Sequence, residues 1–143
     1  MKNGEVCKFT RTAAGPRTQL ARETLRAFGV EDPRQLEKLL SLGSILSVPA
    51  GWAPLGEGTP GDGAYLLLRG EVSLRRGGVE FQRLGGGDLF GEAAAAGGLR
   101  NATVVALTDL LVLRLPRDAW VASLRSSPAW AEAVQRVSAS RLR

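Results

Sequence analysis

Glu92 and Arg100 are the residues whose type and spacing best suit chemistry. They stand on either side of the run Ala93-Ala94-Ala95-Ala96-Gly97-Gly98-Leu99, and Gly85-Gly86-Gly87-Asp88 leads into them. Four alanines can hold one or two turns of helix, and Gly97 can stop it. A helix start presents free N–H groups and a partial positive charge, which suits a phosphate. Glycines let a ligand approach the backbone closely. If the chain folds back, Arg100 reaches the same space. It then offers paired donors, each charge-assisted bond contributing roughly 1.5–3 kcal/mol. A carboxylate beside a phosphate repels it, unless it accepts a hydrogen bond from a hydroxyl of the same ligand. The three features together suggest a sugar phosphate, or a nucleotide with a free ribose hydroxyl. The plainer alternative is a simple connection, with Glu92 capping a helix and Arg100 in solvent.

Composition removes competing chemistries. The chain has 143 residues, no His and one Cys, with 19 Lys and Arg against 14 Asp and Glu, a formal charge of +5. Without His there is no Ser-His or Cys-His triad, no facial triad for iron, and little scope for zinc. One Cys allows no intrachain disulfide. No Gly-Lys-Ser/Thr occurs, so there is no Walker A loop. Gly85, Gly87 and Gly91 lack the Rossmann spacing. No nucleophile and base present themselves, so a binding role is expected rather than an enzyme, with no cofactor and no metal. No apolar stretch is long enough to span a membrane, and the N-terminus does not read as a signal peptide. A cytoplasmic location follows as the expectation. The basic balance fits an anionic partner, but is ordinary for a small domain.

The elements that must position Glu92 and Arg100 can be read from the periodicity. Residues 1–17 read as a loose tail closed by Gly15-Pro16. Residues 18–43 carry two helices, one with Ala21, Leu25 and Phe28 on a face, the other capped by Asp32 and started by Pro33. From Ser44 the period changes to two. Short strands are expected at 44–48, 64–68, 71–75, 79–84, 102–107 and 110–115, with Gly77-Gly78 as a hairpin turn. Residues 44–116 thus form one unit, and 117–143 return to helix, with Ser127 and Pro128 starting the last one. The fold class is α+β: an antiparallel, jelly-roll-like β-roll with a short embedded helix, flanked by N- and C-terminal helices.

Ordered blocks of the chain resemble the cyclic-nucleotide-binding domain family. Val48-Pro49-Ala50-Gly51, Gly56-Glu57-Gly58-Thr59-Pro60-Gly61-Asp62 and Tyr65-Leu66-Leu67-Leu68-Arg69-Gly70-Glu71-Val72 look like its first half. Gly87-Asp88-Leu89-Phe90-Gly91-Glu92-Ala93, followed by Arg100-Asn101-Ala102-Thr103-Val104, looks like its phosphate-binding cassette. The resemblance covers roughly residues 36–142. It implies a regulatory module that binds cAMP or cGMP inside the roll and signals through movement of its C-terminal helix. It also implies roles. Glu92 would accept from the ribose 2′-hydroxyl and Arg100 would pair the cyclic phosphate. Backbone groups of Gly91, Ala93, Asn101 and Ala102 would line that phosphate. The cassette departs from the family in its length and in Ala93, Ala95 and Ala96, where bulky aliphatics are usual. Asn101 stands where a smaller residue is usual.

The alternative function is a roll that holds no ligand and serves as a protein-interaction module. Direct DNA binding is not expected. The family's transcription factors place a helix-turn-helix after the last helix and this sequence stops at Arg143, so the expectation is either a stand-alone ligand sensor that acts on a protein partner or a piece of a longer chain with a fused output domain. Trp52, Trp120 and Trp130 read as packing residues. The family's last helix covers the base, which offers Trp130 a second role against a purine. Arg75-Arg76 reads as solvated charge at a hairpin end. Cys7 has no evident role, and Lys2, Lys8, Arg11, Arg17, Arg22 and Arg26 read as a solvated face.

Overall fold

The computed structural model describes residues 15–141. Cys7, Lys2, Lys8 and Arg11 lie outside them. Helix α1 (Pro16–Phe28) starts before the first apolar repeat, because Pro16 takes a first-turn position where a missing N–H costs nothing. Helix α2 (Pro33–Leu42) follows, and the Asp32 carboxylate accepts from the Arg34 N–H at 2.8 Å as its cap. Arg22 on α1 donates to Glu37 on α2 at 2.7 Å, which holds the Glu37 carboxyl below the usual range.

Seven strands come next: β1 (Ser44–Val48), β2 (Gly63–Arg69), β3 (Val72–Arg76), β4 (Val79–Leu84), β5 (Leu89–Phe90), β6 (Thr103–Ala106) and β7 (Leu110–Pro116). They form two antiparallel sheets, ordered β1-β7-β2-β5 and β4-β3-β6. The four-stranded sheet is buried on both faces. Leu66 and Leu68 of β2, with Leu111, Leu113 and Leu115 of β7, face the helices. Leu67, Leu110 and Val112, with Phe90 of β5, face the second sheet, where they meet Val72, Leu74 and Val104. Two-sided burial is why β2 and β7 read as continuous apolar runs rather than as alternation. This is the α+β roll expected.

Helices α3 (Arg117–Ser126) and α4 (Pro128–Ser140) pack back over the roll beside α1 and α2. Ser127 caps α4 by accepting from the Trp130 N–H at 3.1 Å, and its hydroxyl also donates to Gln35 of α2. Ser127→Ala removes both bonds at a fully buried position. It is expected to cost about 1–2 kcal/mol, read as a lower urea midpoint at unchanged slope. An unmoved midpoint would count against the cap.

The embedded helix takes the shorter of the two expected lengths. Only Glu92–Ala94 close a turn, and it is a 3-10 turn. Gly97 and Gly98 both take positive φ. From there the chain is drawn into a ladder with the preceding loop, Gly61 N–H to Gly98 O and Arg100 N–H to Thr59 O. That pairing claims the residues a second helical turn would need. β5 is a further difference, two residues pairing Tyr65 with Phe90 and Leu66 with Leu89.

Candidate functional site

Gly91 joins β5 to the 3-10 turn with φ +80°, a value that favours glycine. A Cβ there would also lie 3.0 Å from Arg100 Nη1. Gly91 thus turns the chain and lets the guanidinium in. Arg100 enters from beyond the turn and is 5 % exposed. Its Nη1 donates to Gly91 O at 2.6 Å and its Nη2 to Gly63 O at 2.9 Å. Asp62 Oδ1 lies 3.7 Å from Nη2, and Asp62 Oδ2 lies 3.5 Å from Arg114 Nη2. Burial pushes the Arg100 pKa below its ordinary value, against the opposing pull of Tyr65 and Asp62. A guanidinium stays charged through such a shift. The result is a fixed, poorly hydrated cation, already oriented by two carbonyls.

Glu92 begins the turn and its side chain is 6 % exposed. Its Oε1 accepts from Arg141 Nη1 at 3.0 Å. Arg141 sits at the C-cap of α4, so this ion pair ties the end of the last helix to the turn. Around these groups lies a cavity of about 320 Å³. Leu55, Leu74, Phe90 and Val104 of the roll supply its apolar wall, and Phe90 stacks on Tyr65 at 5.0 Å.

The structure brings all six residues singled out from the sequence to this cavity: Gly91, Glu92, Ala93, Arg100, Asn101 and Ala102. Of the three alanines that depart from the family, Ala95 is fully buried, whereas Ala93 and Ala96 are exposed. Trp130 is not at the site. It has no exposed surface and packs against Phe28 and Trp120 on the helical side of the four-stranded sheet. Its role is packing alone, and Ser138 and Arg141 are what α4 lends to the cavity. Sequence reasoning missed those two, and also Arg76, Phe81 and Gln82 at its rim. Arg76 is exposed, as a hairpin-end charge should be, and its Nε also donates to Asn101 O at 2.9 Å. One signal was available: Phe81 is a lone aromatic in the otherwise polar stretch Glu80-Phe81-Gln82-Arg83.

The roll thus buries one arginine and one carboxylate at a small cavity, with the end of the last helix beside it. Residues 45–127 match the model of the family described as "Cyclic nucleotide-binding domain". The chain belongs to that family. It is 38% identical over 92 residues to a cAMP-dependent protein kinase regulatory subunit of Aspergillus niger, covering 60% of this chain and 22% of that one. It is 34% identical over 117 residues to the Cyclic AMP receptor protein of Thermus thermophilus, covering 78% of this chain and 54% of that one. Among solved structures, the N-terminal domain of a transcriptional regulator from Streptomyces coelicolor superposes with a TM-score of 0.64 at 32% identity. That match covers 87% of this chain and 90% of the other. The chain thus spans between about a fifth and about half of these two curated relatives. Among the described residues, no helix is long and apolar enough to cross a membrane, and no three metal-ligating side chains cluster.

Proposed function

We propose that this chain is a cytoplasmic sensory module that binds a cyclic purine nucleotide and carries no catalytic step. The observation that supports it is the pairing of Arg100 with Glu92 in one cavity of about 320 Å³. Arg100 presents donors to a cyclic phosphate and Glu92 an acceptor to a ribose hydroxyl, which is a binding pattern. No proton has to move, so neither a His nor a cofactor is required. A ligand of about 22 heavy atoms at roughly −0.3 kcal/mol per atom gives about −7 kcal/mol, a Kd near 10 μM. Calorimetry with cAMP and cGMP tests the reading, and silence from both at about 1 mM, a hundredfold above that value, rejects it.

The Glu92–Arg141 pair supplies the route outward. A ribose hydroxyl donating to Glu92 competes with Arg141 for the same carboxylate. Nucleotide would then loosen the hold of the turn on the end of α4, and that differential contact is what a response requires. Arg141→Ala is expected to leave α4 insensitive to nucleotide in amide exchange over residues 128–140, where the parent chain changes protection. An identical nucleotide response in the variant would put the coupling elsewhere.

One observation favours a second reading, the ligand-free interaction module. Both key charges already have protein partners, Arg100 with two carbonyls and Glu92 with Arg141. A melting temperature indifferent to a panel of cyclic nucleotides would support it, because a ligand bound to the native state must raise stability.

A further inference from the structure

We propose that Phe81, braced by Arg76, and the amide of Gln82 form the base-reading end of the cavity, and that they favour adenine over guanine. The inference rests on the cyclic-nucleotide reading above and adds to it the base and the residues that select it. Gln82 pairs with Leu74 and Glu80 with Arg75, so Phe81 is the extra residue of a β-bulge in β4. On a regular strand, neighbours point to opposite faces. Here Phe81 and Gln82 both line the cavity, and a bulge is the device that re-aims a side chain in this way.

Phe81 belongs to neither hydrophobic cluster and is 45% exposed. The Arg76 guanidinium lies 4.2 Å from its ring centroid, a cation–π contact. The same guanidinium is anchored through Nε to Asn101 O, next to Arg100. A half-exposed ring held at the rim of the cavity is a surface open to a flat apolar partner. With the phosphate on Arg100 and the ribose hydroxyl at Glu92, the base is the one part of the ligand left to meet it.

Gln82 supplies the discrimination. Its side-chain amide has no protein partner among the described residues and offers one donor and one acceptor side by side. That matches the N7 acceptor and N6 donor of adenine. The same edge of guanine presents two acceptors, N7 and O6, and leaves the amide oxygen facing one of them. Arg76 also carries donors that suit guanine, but its Nε is bound to Asn101 O and its face lies on the Phe81 ring, so it serves as the brace, and the cGMP arm of the test reads its donors.

The test is calorimetry on the full chain with cAMP, cGMP and 7-deaza-cAMP, which lacks the N7 acceptor. The parent chain is expected to bind cAMP about tenfold or more tighter than cGMP, and 7-deaza-cAMP to lose most of that advantage. Gln82→Met is expected to bring cAMP and cGMP within about threefold of each other. Phe81→Ala is expected to weaken both by about tenfold or more without changing their ratio. Both positions are exposed on an edge strand, and a melting curve of each variant confirms that it folds. Equal or tighter binding of cGMP, or unchanged discrimination in Gln82→Met, overturns the base-reading role and leaves the cyclic-nucleotide reading standing. No binding of either nucleotide by the parent chain overturns both.

Discussion

Trp130→Ala is expected to lower the free energy of unfolding by about 3–5 kcal/mol. The indole has no exposed surface and stands where α1, α3 and α4 meet. Its ring centroid is 5.1 Å from that of Phe28 and 6.2 Å from that of Trp120, the latter edge-on. Its Nε1 donates to Ser123 Oγ at 2.9 Å. Truncation removes these contacts and leaves a void that three helices, each fixed elsewhere, cannot close. Against a total of about 5–15 kcal/mol for a domain, that is a large share. Trp130→Phe keeps most of the apolar area and is expected to cost less than half as much. The Ser123 hydroxyl it deprives of a donor still bonds to Trp120 O. Guanidinium unfolding of both variants measures the difference. A loss below about 1.5 kcal/mol for the alanine variant would contradict the packing role. The same anchor matters for function, because α4 carries Ser138 and Arg141 from Trp130 to the cavity.

That anchor also shows where sequence reading stops. Trp130 is legible as an apolar helix residue from its spacing to Val134, but nothing local says which of two cores it joins. The strands were legible because period-two runs and glycine turns are local features. β4 keeps the expected bounds, Val79–Leu84, although a bulge interrupts its alternation, and the helix caps at Asp32 and Ser127 are short-range bonds. The four-alanine run gives one turn and not two for a physical reason. Helix propensity favours another turn, but the ladder from Gly61 and Thr59 to Gly98 and Arg100 takes the chain away. Long-range pairing of this kind outweighs a propensity of tenths of a kcal/mol per residue. At the site, Glu92 and Arg100 were legible because one cassette holds both. Arg141 is 49 positions from Glu92, and nothing local in the sequence links them. Phe81 escaped because a bulge breaks the alternation by which strand faces are assigned, and Arg76 because its partner Asn101 O lies 25 positions away.

Arg100→Ala is expected to weaken cyclic-nucleotide binding by about 2–4 kcal/mol, roughly 30- to 1000-fold, with a much smaller effect on stability. Two opposing effects explain the contrast. In the free protein the substitution strands Gly91 O and Gly63 O without their donors, at about 1–3 kcal/mol. It also relieves the cost of holding a cation at 5 % exposure, the same burial that pushes the Arg100 pKa down. These largely cancel. In the complex the loss falls on the phosphate, because Arg100 is the most buried of the three arginines lining the cavity, while Arg76 is bonded to Asn101 O and Arg141 lies at the end of α4. Arg100→Lys separates charge from shape. An ammonium keeps the charge but cannot reach two carbonyls and a phosphate at once from a single planar fork. It is expected to fall between the parent and the alanine variant, about 10- to 100-fold weaker than the parent. Titration of both variants with the better-bound nucleotide, beside their unfolding curves, reads the two effects apart. If Arg100→Ala binds as the parent chain does, the phosphate role of Arg100 is wrong. If it unfolds while Arg100→Lys binds normally, the residue serves the fold through Gly63 and Gly91 rather than the ligand.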